Sequence, residues 1–262
     1  MDIKPVRYAE SLACDDHPVR TRIGLVVLAT DHTSERDFAR LVPTDHAGVY
    51  VSRIPFANPT TSENLRRMGP DLAQAATLIL PGEPLDAICY SCTAASIIMG
   101  DEAVAAFIGV GKPDVPVVTP PAAARAALQA LGVRRISILT PYLEETSAPL
   151  VPYFERHNFS VAGLTCFGMD DDRDMARIRP EALVKAAAAS VSADAEALFI
   201  SCTALRSTEV AAQIEKEIGR PVVTSNQATV WMCLRLCGID QPIADHGRLL
   251  RQLLAAPEYI PA

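Results

Sequence analysis

Residues 87–96 read AICYSCTAAS and residues 197–207 read ALFISCTALRS, so an apolar run enters Ser-Cys-Thr-Ala twice. Cys92 and Cys202 lie 110 residues apart, and other segments keep nearly the same step. Leu25–Leu28 matches Ile136–Leu139 at a shift of 111. GPDLAQAA from Gly69 matches RPEALVKAA from Arg179 at 110, which sets Pro70 on Pro180, and the PVVT at Pro116 matches that at Pro221 at 105. Doubly wound folds look alike at this level, but four elements in order at nearly one shift indicate an internal duplication.

Around these motifs, short β-branched runs alternate with Ala-rich stretches, the pattern of βαβ units on a parallel sheet. IGLVVLAT (23–30), GVYVSRI (48–54), DAICYS (86–91) and VPVVT (115–119) are expected as four strands. RRISILT (134–140), FSVAGLTCF (159–167), EALFIS (196–201) and RPVVTS (220–225) are expected as four more. SENLRRMGPDLAQAATLIL (62–80), AAARAALQALG (122–132) and PEALVKAAAASV (180–191) are rich in good helix formers. The expected fold is α/β: two pseudo-symmetric flavodoxin- or Rossmann-like lobes, each with a four-stranded parallel sheet. Residues 1–119 plus 226–262 are assigned to the first lobe, with C-terminal helices returning to it, and 120–225 to the second. Ligands of open parallel sheets sit beyond the carboxyl ends of the strands. Both Ser-Cys-Thr motifs lie there, so two facing lobes would share one active-site cleft.

Composition narrows the partners. Of 262 residues, 49% are hydrophobic, enough for a substantial core. A net charge of −7 without a basic run argues against nucleic acid and leaves a small molecule as the partner. No run of about 18 uncharged apolar residues suggests a membrane span, and the first twenty residues lack the apolar centre of a secretory signal. Seven irregularly spaced cysteines beside a good core fit a reducing cytoplasm better than a disulfide framework. Small residues on the Ala-rich helices are compatible with a homodimer without demanding one. No Gly-x-Gly-x-x-Gly or Walker loop follows a strand, so no nucleotide cofactor is indicated. The histidines form no metal-binding pattern. Cys89 and Cys92 make a C-x-x-C pair, yet Cys89 falls on Phe199 in the second copy and reads as core. Cys233 and Cys237 share a helix face, but no second pair accompanies them, and packing explains them better than a metal.

A lone cysteine is most simply a small buried hydrophobe. Cys92 and Cys202 differ because each holds the same place in a repeat, flanked by Ser and Thr. A cysteine between a strand's end and a helix's start meets unpaired N–H groups and the positive end of the dipole. That effect is worth up to about 2 kcal/mol, which carries a thiol of pKa roughly 8.5 only to the neighbourhood of neutrality. One thiolate and one thiol are therefore expected. Such a pair can take a proton from one face of a carbon and return one to the other, or let one sulfur attack while its partner protonates.

At these motifs the sequence resembles the aspartate/glutamate racemase superfamily, and within it the maleate isomerase branch and the ectoine-utilisation proteins. GLVVLATDHTSERDF, ANPTTSENLRRM, YSCTAAS, VVTPPAAARAALQALG, ILTPY, DDDRDMARIRPE, ISCTALRS and PVVTSNQATVWMCLRL carry the likeness, which spans nearly all of the chain after Arg20. It implies a cofactor-independent isomerase or racemase acting on a small carboxylate compound, in ectoine or hydroxyectoine breakdown. By that likeness Cys92 attacks or deprotonates and Cys202 serves as acid. The resemblance places substrate contacts at the motif neighbours Ser91, Thr93, Ala94, Thr203 and Ala204, and at Tyr142. Asp31, set on Tyr142 by the repeat, and Asp172 belong to the same set. Asn226 and Gln227 follow the last strand and either line the cleft or cap the final helix.

Asp31 and Asp172 stand where maleate isomerases carry asparagine, and an ionised carboxylate cannot donate a hydrogen bond to a substrate carboxylate. Maleate is thus expected to be a poor substrate, and a ligand with an amine, amide or cyclic amidine group a better one. Either aspartate equally reads as a helix cap. Two further functions compete: a cysteine-dependent decarboxylase of the arylmalonate type, and a two-lobed binding protein without chemistry, which would have no need of paired thiols.

Overall fold

The computed structural model describes residues 3–251, so residues 1–2 and 252–262, the outer limits of the first-lobe assignment, lie outside the described residues. The first sheet holds β1 (Thr21–Leu28), β2 (Ala47–Ile54), β3 (Ala87–Tyr90) and β4 (Val117–Val118), in the order β2-β1-β3-β4. The second holds β5 (Arg135–Tyr142), β6 (Ser160–Met169), β7 (Ala197–Ile200) and β8 (Val222–Thr224), in the equivalent order β6-β5-β7-β8. Every pairing is parallel. Each of the eight expected strands is present. All eight residues of β1 are buried, as parallel strands covered by helices on both faces require.

Register corrects the repeat by two residues at the first strand of each sheet. Leu25 lies opposite Cys89, whereas it is Ile138, not Ile136, that lies opposite Phe199. Likewise Ser91 N–H meets the Val26 carbonyl, and Ser201 N–H meets that of Leu139. Tyr142 therefore corresponds to Ala29 rather than to Asp31. A slip of two leaves every side chain on its own face, so hydrophobic alternation alone does not reveal it.

The expected helix 62–80 is two helices, Ser62–Arg67 and Gly69–Leu78, broken at Met68. Pro70 lacks an N–H, and its ring excludes the preceding turn from a continuous helix. Two matched helices follow the last strand of each sheet. Thr119 caps Pro120–Ala130 by accepting from Ala122 N–H, and Thr224 caps Ser225–Leu236 by accepting from Gln227 N–H. These helices pack on each other, and each crosses to the other sheet: Pro120–Ala130 touches β8, and Ser225–Leu236 touches β3 and β4. The second is buried from Ser225 to Arg235, in keeping with apolar residues on all its sides. One apolar cluster thus runs through both sheets, joining Leu25, Phe38, Leu128, Ile138, Phe199 and Trp231. Cys89 and Cys233 are fully buried within it. No single helix among the described residues is long and apolar enough to cross a membrane.

Gly111 ends the helix Asp101–Gly111, where a Cβ would stand 2.5 Å from the Ala73 carbonyl oxygen and 2.7 Å from Thr77 N. Gly109, two residues earlier, has open space at the same position. Gly111→Ala is expected to lower unfolding free energy by about 1–3 kcal/mol through overpacking against backbone. Gly109→Ala should be neutral or raise it by up to about 1 kcal/mol. Urea unfolding followed by circular dichroism checks both.

Candidate active site

The carboxyl ends of β1, β3, β5 and β7 converge between the lobes. Cys92 follows β3 with extended backbone, φ −149°, and stands directly before the helix Thr93–Met99. Cys202 follows β7 with φ +100°. That left-handed conformation costs a non-glycine residue on the order of 1–3 kcal/mol and must be held by its surroundings. The expected helix start at Cys202 is absent: residues 203–210 are turns, and the helix begins at Ala211. The reason lies in Thr203, whose carbonyl accepts from the Thr33 hydroxyl and from Asn226 Nδ2 (3.0 Å) instead of serving a helical turn.

Cys92, Thr93, Ala94, Cys202, Thr203 and Ala204 line one cavity together with Asp31, Tyr142 and Asp172. Leu28, Phe56, Thr60 and Met175 complete it. Two residues expected at the site stand behind this wall. Ser91 Oγ is 2.7 Å from Ser34 Oγ, and Asn226 is spent on Thr203 and Asp37. Gln227 Nε2 turns to the carbonyl of His246. About 20 Å³ is open to the centre of a water molecule, room for roughly one water. Thr60, on its lining, is tied to the other half of the chain: its N–H donates to the Asp170 carbonyl at 2.8 Å, and its carbonyl accepts from the Thr146 hydroxyl at 2.9 Å.

The two aspartates behave differently. Asp31 Oδ1 accepts from the backbone of Thr33 (3.0 Å) and Ser34 (2.8 Å), while Oδ2 accepts from Ser34 Oγ (2.7 Å). It thus holds the N–H groups of Thr33 and Ser34 that lead into the helix Ser34–Leu41, whose cap position is Thr33, and faces the cavity at once. Burial raises its carboxyl above the ordinary range, against the pull of Ser34, Thr33 and Arg53. Asp172 is not the cap of its helix: Asp171 is, accepting from Arg173 N–H at 2.9 Å. Asp172 instead takes the Thr30 hydroxyl and Asn58 Nδ2 (2.9 Å), both from the opposite lobe. No lining residue is Lys, Arg or His.

Electrostatics correct the expectation of a thiolate. Burial drives both Cys92 and Cys202 up to about 12. At Cys92 the Ala95 N–H and the Tyr90 hydroxyl pull the other way, and the charges of Cys202 and Asp172 add to the rise. At Cys202 the Tyr142 hydroxyl and the N–H groups of Ala204 and Leu205 oppose burial, and Asp172 adds to it. Ala204 N lies 3.3 Å from Cys202 Sγ. The helix start at Cys92 is real but too weak: a gain of up to about 2 kcal/mol does not offset loss of water around a buried anion. Both thiols are neutral in this state.

Tyr90, Thr30, Asn58, Thr33 and Ser34 escaped sequence reasoning. Tyr90 lies inside the quoted YSC motif, where its apolar neighbours make it read as core. The others act through contacts such as Asn58 to Asp172, which local pattern does not encode. Among the described residues no group of His, Cys, Asp and Glu is placed to hold a metal ion.

A family model described as Amdase, arylmalonate decarboxylase, matches residues 82–250. Maleate isomerase of Nocardia farcinica is 27% identical over 245 residues, covering 88% of this chain and 96% of its own length. Arylmalonate decarboxylase of Bordetella bronchiseptica is 29% identical over 126 residues, 47% of this chain and 52% of its own length. The structure is similar to that of a cysteine-to-serine mutant of Nocardia farcinica maleate cis-trans isomerase with a covalently bound succinylcysteine intermediate. The TM-score is 0.80 at 25% identity, with 88% of this chain and 98% of the other covered.

Iodoacetamide modification, read peptide by peptide by mass spectrometry, tests the electrostatics. A thiol raised to about 12 is neutral below that pH and ionised above it. Cys92 and Cys202 should thus react on the order of 10³-fold more slowly than free cysteine at pH 7, the rate climbing roughly tenfold per pH unit. Asp172→Asn should speed both, and Tyr142→Phe should slow Cys202 alone.

Proposed function

The chain belongs to the arylmalonate decarboxylase family, and from that membership we propose that it is a cofactor-independent isomerase or racemase using Cys92 and Cys202 as a pair. The observation that carries this reading is one narrow cavity lined by two thiols, one following the third strand of each sheet. In the addition route, Cys92 reacts as the thiolate: its sulfur forms a bond to one alkene carbon, and the alkene's π electrons take the Cys202 proton at the carbon beside the substrate carboxylate. After rotation about the resulting single bond, the Cys202 thiolate takes that proton back and the Cys92 sulfur leaves as thiolate, which returns the isomerised alkene and both groups to their starting state. In the two-base route, one thiolate removes an α-proton and the other thiol returns one to the opposite face. Cys202 is the acid in both, and Ala204 N–H stabilises its sulfur after the proton has left.

The substrate class follows from charge. Two buried carboxylates, and no cationic side chain, face the ligand. They repel a dianion and favour a compound that carries a cationic nitrogen beside its carboxylate. A unit charge about 4 Å away is worth about 4 kcal/mol at an effective dielectric of 20, or roughly three pKa units. That is the size of the rise burial imposes on each thiol. A cation held by Asp31 and Asp172 would therefore bring a thiol back toward a reactive range, and binding would switch the chemistry on. An ectoine-derived amino acid has this character, and the likeness to ectoine-utilisation proteins supports that choice.

Decarboxylation is the second reading, favoured by the relation to arylmalonate decarboxylase. A panel of ectoine-pathway amino acids, maleate and arylmalonates separates the two, scored for deuterium uptake by mass spectrometry and for released carbon dioxide. Isomerisation or solvent deuterium in a cationic amino acid is expected, at least about 10³-fold reduced in Cys92→Ser and in Cys202→Ser. Ligand binding should persist in Cys92→Ser. Efficient turnover of maleate would refute the charge argument, and carbon dioxide release without isomerisation would favour the decarboxylase.

A further inference from the structure

Asp37 lies on the helix Ser34–Leu41, is 2% exposed, and takes no part in the chemistry above. Its Oδ2 accepts from Asn226 Nδ2 at 2.8 Å, and the same nitrogen donates to the Thr203 carbonyl at 3.0 Å. Two acceptors on one NH₂ group fix which way the amide points. The residue before Asn226 takes the other end of the same short segment: Cys202 N–H donates to Ser225 Oγ at 3.1 Å. The first turn of the helix Ser225–Leu236 thus grips the segment from the Cys202 N–H to the Thr203 carbonyl, across the left-handed residue that carries the thiol.

We propose that Asp37 is a positioning residue for Cys202: its buried carboxylate fixes the Asn226 amide, and through it the Thr203 carbonyl. Cys202 thereby keeps its left-handed backbone, and its sulfur keeps the Ala204 N–H. A neutral acceptor would fill the same space, but a hydrogen bond to an ionised group is roughly twice as strong as a neutral one. The strain at Cys202 is what that extra strength opposes.

Burial raises the Asp37 carboxyl to about 6, while Asn226, the Thr208 hydroxyl and Arg40 draw it down and Glu209 adds to the rise. Glu209 is itself paired with Arg36 at 3.3 Å and Arg40 at 3.5 Å. Above pH 6 Asp37 is therefore ionised and the grip is at full strength, and below it the carboxyl is neutral and the grip weakens. The catalytic meaning of this device rests on the reading of Cys202 as the acid, whereas the grip itself does not.

The test needs no substrate. Backbone amide resonances of Cys202–Leu205 are followed from pH 5 to 8 in ¹⁵N-labelled native protein, Asp37→Asn and Asp37→Ala, with Ile23 in β1 as control. In the native protein these amides should shift with a midpoint near pH 6 while Ile23 stays still. In Asp37→Asn, whose neutral amide oxygen still accepts from Asn226 but more weakly, the amides should stay near the native protein's low-pH positions across the range, without the titration. Asp37→Ala should displace the amides at every pH. Native amides at 202–205 that do not titrate near pH 6, or that titrate equally in Asp37→Asn, would overturn the proposal. For a compound turned over in the panel above, kcat should fall by up to about fourfold from pH 7.5 to 5.5 in the native protein, the change in the ionised fraction of a group of pKa about 6, with KM within about twofold, and Asp37→Asn should lack that limb. If no compound is turned over, the proposed function fails while the amide titration still decides the grip.

Discussion

Around the two cysteine motifs the lobes meet through backbone carbonyls and short hydroxyl side chains, and both thiols take their positions from that seam. Thr203 donates its hydroxyl to the Ser91 carbonyl at 3.1 Å and receives the Thr33 hydroxyl on its own carbonyl. Ser225 bridges the two motifs, 2.9 Å from Thr93 Oγ1 and accepting from Cys202 N–H. Each of these bonds is buried, so each is worth more than its surface counterpart and costs more when broken. Serine and threonine suit this work because they are small enough to let two strand ends approach and still both donate and accept.

What the seam holds in place is an uncomfortable set of groups. Two carboxylates share with two thiols a space that has room for roughly one water. Asp31 and Asp172 survive there because protein donors replace the water around them. The sulfurs have weaker compensation, which is why burial leaves them protonated. Reactivity is thus withheld by solvation rather than by geometry. A ligand that alters the local charge alters the reagent, and closure around it keeps water from competing.

The strands and the duplication were legible because fully buried parallel strands are short β-branched runs, and Ser-Cys-Thr marks the same strand end in both halves. DAICYS and EALFIS needed nothing beyond themselves to be placed. The two-residue offset at Leu25 and Ile138 was not legible, since alternation is blind to even slips. The helix after Cys202 was misread because its absence depends on Thr33 and Asn226, which reach Thr203 from far along the chain. The thiol charge was misread for a related reason. A dipole is visible in local sequence, but the degree of enclosure that outweighs it is a property of the assembled pair of lobes. Asp172 shows the same limit: local grammar makes it a helix start, and only Thr30 and Asn58 make it a tie between halves.

The exchange of helices between the sheets bears on how the chain matures on the ribosome. The face of β3 and β4 is covered by Ser225–Leu236, which is translated about a hundred residues after β4 itself. A nascent first half therefore emerges with the β3–β4 part of that sheet face bare, and gains its cover only when residues 225–236 have left the exit tunnel. Until then the uncovered apolar face is the kind of surface that chaperones, or another unfinished copy, bind.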